Sequence, residues 1–251
     1  MNRSRIRHVG SKWSKTKVIL RDRALRPYVP ETRRINAASL QAMLNRYRMV
    51  YVKPVSGMHG KGVMRVARTG AGGYVCRWGS SGSRYRGFRP LYEAIRKRTR
   101  GRPYLVQRGI RLLTVRGKLF DIRVMVQKPP GRKWKATGII GRLARPGRVV
   151  TNYHSGGKPT DVRTLLRGYA KPARIDVLMR TMAAVSRRAA AALNRGYPGV
   201  NMVGADIGLD RSLKPWIIEL NTSPDPYLFR FLKDKRVSRR VLRYARMLKR
   251  I

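Results

Sequence analysis

Residues 202–221, MVGADIGLDRSLKPWIIELN, contain the pattern that decides the fold. Two apolar segments, residues 202–209 and 215–220, predict strands, and residues 210–214 between them predict a hairpin turn. Pairing across that turn sets Asp206 near Glu219 on one face of the sheet. Asn221 shares this face, because side chains alternate along a strand and Asn221 lies two residues from Glu219. The stretch therefore predicts three converging oxygen-bearing side chains.

These three side chains are candidate metal ligands. Two carboxylates this close would repel each other and raise a pKa unless a cation bridged them. Hard oxygen ligands in this number suit Mg²⁺ or Mn²⁺ holding a nucleotide, which makes Asp206, Glu219 and Asn221 the predicted ligand set. With a single cysteine and three histidines, the chain cannot build a Cys/His zinc cluster. The alternative is a structural pair neutralised by arginine, since buried charges are either paired or bound to metals.

A glycine-rich loop follows a predicted strand, whose apolar residues 49–52 lead into Lys53 and Pro54. An ammonium group and several backbone N–H groups in one place suit phosphate. No Ser or Thr follows Lys61 and Gly62, and the loop leads into a strand, which excludes the Walker A and Rossmann motifs. A glycine hairpin over phosphates remains, with an ordinary tight turn as the alternative. The loop residues concerned are Gly57, His59, Gly60, Lys61 and Gly62.

Two further segments carry candidate phosphate ligands. Asp121 and Arg123 share one face of a predicted strand, where Arg123 could bind a transferring phosphoryl group. The alternative is an ordinary Asp–Arg surface pair. Asn152 lies in a polar loop that ends in glycines, residues 151–157, and its amide could reach the same phosphates. His59 and His154 are expected first as loop or capping residues, because neither has a visible partner.

Strands and helices are mixed without regular βαβ alternation, which favours an α+β fold of two lobes around a cleft over a doubly wound sheet. We expect a basic N-terminal arm or helix in residues 1–27, an N-terminal lobe with the glycine loop in residues 28–110, and a C-terminal lobe with the metal site and a closing helix in residues 111–251. Apolar periodicity predicts helices over residues 36–47, 91–97, 173–193 and 238–251, and strands over residues 49–54, 63–67, 74–78, 103–107, 119–127 and 134–143.

The composition is strongly basic: 251 residues carry 59 Lys+Arg and 11 Asp+Glu, a formal net charge of +48. This excess predicts salt-sensitive attraction to polyanions. The basic residues are spread along the whole chain without a nucleic-acid-binding motif, so nonspecific polyanion binding is the expectation. No apolar run approaches the roughly 18–20 residues of a membrane span or forms a signal-peptide core, so we expect a cytoplasmic chain without a membrane span.

In the order of these elements the chain resembles the ATP-grasp superfamily, most closely its YheC/YheD-like, endospore-coat-associated branch. The resemblance covers about residues 28–232, and its pieces occur in the family's order. The matching text is VPET at 29–32, VKP at 52–54 with the glycine loop, YLVQRGI at 104–110, FDIRVMVQ at 120–127, TN at 151–152 with GG at 156–157, and residues 204–221.

This resemblance implies an ATP-grasp fold whose two lobes clasp ATP between antiparallel sheets. It implies a carboxylate–amine ligase, which phosphorylates a substrate carboxylate to an acyl phosphate that an amine then attacks to give an amide, ADP and phosphate. The implied cofactors are ATP and Mg²⁺ or Mn²⁺, and the implied substrates are an unidentified carboxylate and amine, such as an acidic peptide or polymer. Spore-coat proteins are the implied partners, and the implied location is cytoplasmic, spore-coat or forespore-associated.

Residue by residue, the resemblance makes Lys53 and Arg123 the catalytic candidates. Gln107 stands where many relatives have an acid, and the upstream nucleotide-binding lysine stays open among Lys12, Lys15 and Lys17. The implied roles are Lys53 at the α/β-phosphates, Gly57, His59, Gly60, Lys61 and Gly62 over them, Gln107, Arg108, Gly109 and Ile110 at the adenine, Asn152 and Arg123 beside the γ-phosphate, and Asp206, Glu219 and Asn221 on the metals.

Two other functions stay open from the sequence. One is a non-catalytic spore-coat or scaffold protein that keeps the ATP-grasp fold and binds partners through its cationic exterior. The other is a basic nucleic-acid-binding protein whose affinity comes from phosphate contacts, with a steep dependence on salt.

Overall fold

The computed structural model describes residues 8–57, 60–70, 72–145 and 157–251. No helix among these residues combines the length and the apolar character needed to cross a membrane. The α-helices are α1 (Lys12–Leu20), α2 (Ala37–Tyr47), α3 (Phe88–Thr99), α4 (Val162–Leu166), α5 (Pro172–Gly196) and α6 (Lys235–Met247). The strands are β1 (Thr32–Arg34), β2 (Met49–Pro54), β3 (Met64–Arg68), β4 (Tyr74–Trp78), β5 (Ser81–Tyr85), β6 (Tyr104–Arg108), β7 (Thr114–Val115), β8 (Lys118–Gln127), β9 (Lys135–Leu143), β10 (Lys158–Thr160), β11 (Met202–Leu209) and β12 (Pro215–Asn221).

The first lobe is an antiparallel sheet with strand order β1-β6-β2-β3-β4-β5. One face is covered by α2 and α3. Leu40, Met43 and Leu44 recur at helical spacing in α2, and Val50 and Val52 alternate in β2, so the two apolar surfaces meet in one buried cluster. The opposite face of the sheet is left to the cleft and to solvent.

The second lobe is an antiparallel sheet with strand order β10-β9-β8-β11-β12, and β7 pairs with β8. Its central strand β8 is buried on both faces. Ile122 and Val124 pack into the cluster that contains α5, whereas Met125 packs into the cluster that contains α6. Because side chains alternate along a strand, Asp121 and Arg123 lie on the face away from α5.

Most elements predicted from the sequence are confirmed, including the four helices α2, α3, α5 and α6. Asn36 caps α2 by accepting the Ser39 backbone N–H at 2.7 Å, and α1 supplies the helix expected within residues 1–27. The sequence missed β1, β5, β7, β10 and α4. In the case of β5 the reason is a segment of glycine and serine without apolar alternation. The boundary between residues 110 and 111 stays a prediction. The last strand of the first sheet ends at Arg108, and β7 begins at Thr114.

Gly138 in β9 packs against the C-terminal elements and gives a test of this arrangement. A Cβ there would lie 2.6 Å from Phe229 Cε1 and 2.8 Å from Val241 Cγ2. We expect Gly138→Ala to lower the free energy of unfolding by about 1–3 kcal/mol in urea denaturation, because overpacking displaces the ring or the strand. Gly168→Ala is the control, since nothing lies within 4 Å of its added Cβ. Equal stability of the two variants would contradict this packing.

Candidate functional site

A pocket opens between the two sheets, where β2 and β6 face β12 and α1 closes one side. Three of its lining residues are lysines and one is a carboxylate, so the lining carries a net positive charge and suits an anion. The polar residues of the lining are Lys12, Lys15, Thr16, Thr32, Lys53, Gln107 and Glu219.

Lys53 is held by a chain of hydrogen bonds that runs across the first sheet. Its Nζ donates to Gln107 Oε1 at 2.6 Å, Gln107 Nε2 donates to Thr32 Oγ1 at 3.0 Å, and the Thr32 hydroxyl donates to a backbone carbonyl at 2.9 Å. The Thr32 hydroxyl has a single hydrogen, which it donates to that carbonyl, so its oxygen must accept a hydrogen from Gln107. The Nε2 of Gln107 therefore faces Thr32, and its Oε1 faces Lys53. Burial lowers the pKa of Lys53 to about 8. The charge of Lys12 acts in the same direction, whereas Glu219 and Asp206 oppose it.

The structure brings two of the three upstream lysines to the pocket. Lys12 Nζ donates to Gly57 O at 2.8 Å and lies 3.7 Å from Glu219 Oε1, so it joins the glycine loop to β12. Lys15, one helical turn later, is 5% exposed, and burial lowers its pKa. Lys17 is exposed and does not line the pocket. Lys12 and Lys15 are therefore the lysines of α1 that an anion in the pocket would meet.

Asp121, Arg123, Arg142 and Asp206 form a buried chain of ion pairs on β8, β9 and β11. Arg142 binds Asp121 through Nε at 2.8 Å and Nη2 at 2.5 Å, and its Nη2 lies 2.9 Å from Asp206 Oδ2. Arg123 Nε lies 2.5 Å from Asp206 Oδ1. Burial acts to raise the pKa of Asp206, but the charges of Arg123 and Arg142 outweigh it and hold that pKa below its usual range.

This arrangement corrects the sequence analysis in two respects. The alternative of an Asp121–Arg123 surface pair is wrong, because both residues are buried and Asp121 pairs with Arg142. Arg142 itself was missed. The available signal was an arginine inside the apolar strand β9, where it is 2% exposed, since a charge in that position needs a partner.

The predicted register of the metal candidates is confirmed, because Asp206 faces Glu219 across β11 and β12. Asn221 Nδ2 lies 3.5 Å from Asp206 Oδ2. The two carboxylates do not need a bridging cation to offset their repulsion, because Arg123 and Arg142 balance Asp206, and Lys12 balances Glu219. Among the described residues, no three His, Cys, Asp or Glu side chains group as a metal site. A cation here would depend on two carboxylates and one amide, and the assignment stays a prediction.

Three glycines of the loop adopt backbone angles that other residues rarely take. Gly57, Gly60 and Gly62 have φ values of 132°, 71° and 76°, which glycine reaches at no steric cost. Lys61 between them is exposed. Their contact with phosphates remains a prediction. The predicted site residues that lie outside the described part of the chain are His59 and Asn152.

Residues 107–110 connect the two lobes beside the pocket. The Arg108 guanidinium lies between two rings, 5.0 Å from the centre of Tyr47 and 4.7 Å from that of Trp216. Gly109 donates its N–H to the carbonyl of Met49, the first residue of β2, at 2.9 Å, and Ile110 is buried. The Arg108 side chain thus belongs to a cation–π stack between the lobes, so a contact of this residue with adenine would use its backbone.

Comparison with known proteins gives two findings at the level of sequence. A family model described as YheC/D like ATP-grasp matches residues 6–248. The Endospore coat-associated protein YheD of Bacillus subtilis (strain 168) is 25% identical over 225 residues, which are 87% of this chain and 49% of that protein. The chain therefore spans about half the length of this curated relative.

Similar solved structures include VanG D-Ala:D-Ser ligase from Enterococcus faecalis, with a TM-score of 0.56, 12% identity, and coverage of 93% of this chain and 61% of that chain. D-cycloserine synthetase DcsG has a TM-score of 0.54 and 16% identity over 94% of this chain and 70% of that chain. N5-carboxyaminoimidazole synthase from Aspergillus clavatus has a TM-score of 0.53 and 13% identity, over 86% of this chain and 45% of that chain. These likenesses confirm the predicted two-lobed α+β fold.

The buried ion-pair chain can be tested by removing its shared cation. We expect Arg142→Met to lower the free energy of unfolding by about 3–5 kcal/mol in urea denaturation at pH 7, because it leaves Asp121 buried without its bidentate partner. Arg145→Met is the control, because Arg145 is exposed and surface changes typically stay within about 0.5 kcal/mol. A loss below about 1 kcal/mol in Arg142→Met would refute the structural role of Arg142.

The low pKa of Lys53 predicts a pH dependence of stability. Because this pKa is about 8 in the folded protein and 10.5 ordinarily, the unfolded chain binds more protons between these values, so the Lys53 contribution to stability rises from pH 8 to 10.5. Gln107→Glu should raise the Lys53 pKa and reduce the rise, and Lys53→Met should reduce it as well, while Lys15, whose pKa is also lowered, contributes equally in all three proteins. The measurement is the free energy of unfolding of all three proteins across this range, and identical slopes would exclude the effect.

Proposed function

Because the chain belongs to the YheC/D-like ATP-grasp family, we propose that it is an ATP-dependent carboxylate–amine ligase. The observation that carries the proposal is the pocket between the sheets, where Lys12, Lys15 and Lys53 lie with Glu219. Three ammonium groups and one carboxylate leave an excess of positive charge in a half-buried site. A triphosphate with its bound cation complements both this charge and the adjoining acidic side chains.

In the proposed reaction, a carboxylate oxygen of the substrate attacks the γ-phosphorus of ATP, and the bond from that phosphorus to the bridging oxygen breaks to release ADP. An amine then attacks the carbonyl carbon of the acyl phosphate. Phosphate leaves with the electrons of the C–O bond, the amine loses a proton, and an amide forms. Fixed cations stabilise the charge on the transferring group, and Lys53 and Arg123 are the residues to which we assign this role.

We assign the Mg²⁺ of this reaction to Asp206, Glu219 and Asn221, whose oxygen donors fit a hard cation; when bound, it would neutralise phosphate oxygens. Both Asp206 oxygens are held by guanidinium groups. Each of these oxygens has a second acceptor site, so a cation at Asp206 would share the carboxylate with Arg123 and Arg142, and the phosphate would offer these guanidinium groups a further acceptor.

A second candidate function is supported by the likeness to an endospore coat-associated protein and by the net charge of +48. In that case the chain would be a non-catalytic, coat-associated protein that binds nucleotide and acidic partners without turnover. A location in the spore coat or in the cytoplasm of a spore-forming cell belongs to the same proposal. The two functions differ in whether ADP is released.

Calorimetry with ATP, with and without Mg²⁺, tests the nucleotide site. We expect Mg²⁺ to tighten ATP binding by the wild type at least tenfold, and Glu219→Gln to lose this increment, because the variant keeps the lysines but not the carboxylate. Glu93→Gln is the control, since Glu93 is exposed on α3 and pairs with Arg89. Equal Mg²⁺ dependence in all three proteins would reject the metal assignment. ATP binding without ADP release across a panel of carboxylates and amines would favour the coat-associated function.

A further inference from the structure

A row of directly opposed residues crosses the first sheet from the pocket toward its open edge. The register pairs Thr32 with Gln107, Gln107 with Tyr51, Tyr51 with Arg65, and Arg65 with Arg77. Opposed residues of antiparallel strands project from the same face. Because Thr32 and Gln107 line the pocket, Arg65 and Arg77 lie on the pocket side of the sheet, opposite the face covered by helices.

A third arginine extends this row to the edge strand. Arg84 in β5 pairs with Val75, two residues from Arg77, so Arg84 and Arg77 are diagonal neighbours about 7–8 Å apart. Arg77 itself faces Gly82, which has no side chain to cover it. Arg77 and Arg84 are exposed, and Arg65 is half-buried. We call Arg65, Arg77 and Arg84 the arginine row.

No carboxylate of the protein balances the arginine row. All 11 Asp and Glu residues fall in the described ranges, and none of the ion pairs formed there includes a member of the row. Like charges directly opposite each other across two strands, as at Arg65 and Arg77, destabilise a sheet. Protection of a sheet edge from aggregation would explain Arg84 on the edge strand β5. It does not explain Arg65 and Arg77, because β3 and β4 are inner strands.

We propose that the arginine row binds an acidic peptide and directs it toward the pocket at Lys53. The choice of carboxylates rests on the proposed ligase function, which consumes one. Guanidinium groups bind carboxylates through two parallel hydrogen bonds. Side chains on one side of an extended peptide repeat about every 7 Å, which matches the diagonal spacing of Arg77 and Arg84. Tyr51 connects the row to the pocket, since Lys53 Nζ lies 5.6 Å from its ring centre.

The surroundings of the row favour a peptide over a nucleic acid. Proteins that bind single strands place aromatic rings beside their cations, so that bases can stack. The residues that share this face with the arginine row on β3, β4 and β5 are Ala67, Val75 and Gly82. Tyr51, opposite Arg65, places one aromatic ring at the pocket end of the row. The strand residues beside Arg77 and Arg84 on this face are aliphatic or glycine, which suits an acidic peptide, because such a peptide needs charge and hydrogen bonds rather than stacking.

The test measures binding of a fluorescein-labelled deca-glutamate peptide by fluorescence anisotropy in 150 mM KCl. We expect Arg77→Gln with Arg84→Gln to weaken binding at least tenfold. The matched control is Arg96→Gln with Lys97→Gln, which removes two exposed charges from α3 on the opposite face of the same sheet, and we expect less than a twofold change. Equal losses in the two double variants would show attraction to diffuse charge and would overturn the proposal.

ATP calorimetry on the same proteins separates this proposal from the ligase function. The row variant should bind ATP like the wild type, because the pocket residues are unchanged. If the wild type binds the peptide through the row but does not bind ATP, the ligase proposal fails and the row stands. If ATP binds but the row variant holds the peptide as tightly as the wild type, the row alone fails. Displacement of the peptide by deca-thymidylate at lower concentrations than by unlabelled deca-glutamate would overturn the assignment to a peptide.

Discussion

The buried ion-pair chain of Asp121, Arg142, Asp206 and Arg123 is the constraint on which the second lobe depends. These four charges lie on β8, β9 and β11, and each carboxylate is compensated only while the three strands keep their register. A slip of one residue would turn a charged side chain toward the face packed against α5, where an unpaired charge costs several kcal/mol. The same register sets Glu219 opposite Asp206, so the ion pairs that hold the sheet also build the candidate site.

The pocket shows the opposite arrangement, a shortage of negative charge. The partner of Lys53 at 2.6 Å is the neutral amide of Gln107, and the neighbouring carboxylate Glu219 is shared with Lys12. Burial therefore lowers the pKa of Lys53 to about 8, which a carboxylate at position 107 would prevent. The same shortage favours an anionic ligand, because such a ligand would supply the charge that the protein lacks.

The sequence predicted what lies close along the chain and missed what depends on distant pairing. The hairpin of β11 and β12, with Asp206 opposite Glu219, was readable because both strands and their turn fit within twenty residues. The position of Arg142 inside an apolar strand indicated that it needs a partner, but not which one, since its contact with Asp206 requires the register of three strands in the order β9-β8-β11. Lys12 and Lys15 could not be distinguished from Lys17 for the same reason: only the docking of α1 on α5 and β12 decides which lysines reach the pocket.

The placement of the carboxylates shows how a chain of net charge +48 compensates its buried cations. Asp121 and Asp206 compensate buried arginines. Asp22, which follows α1, pairs with Arg188 and Arg195 of α5, and Glu31 pairs with Arg33 and Arg46. Exposed cations repel weakly, since salt screens them within about 8–10 Å, whereas a buried unpaired cation costs far more. The buried arginines of the second sheet are therefore compensated by buried carboxylates, and most exposed cations are left to be neutralised by solvent ions or by an acidic ligand.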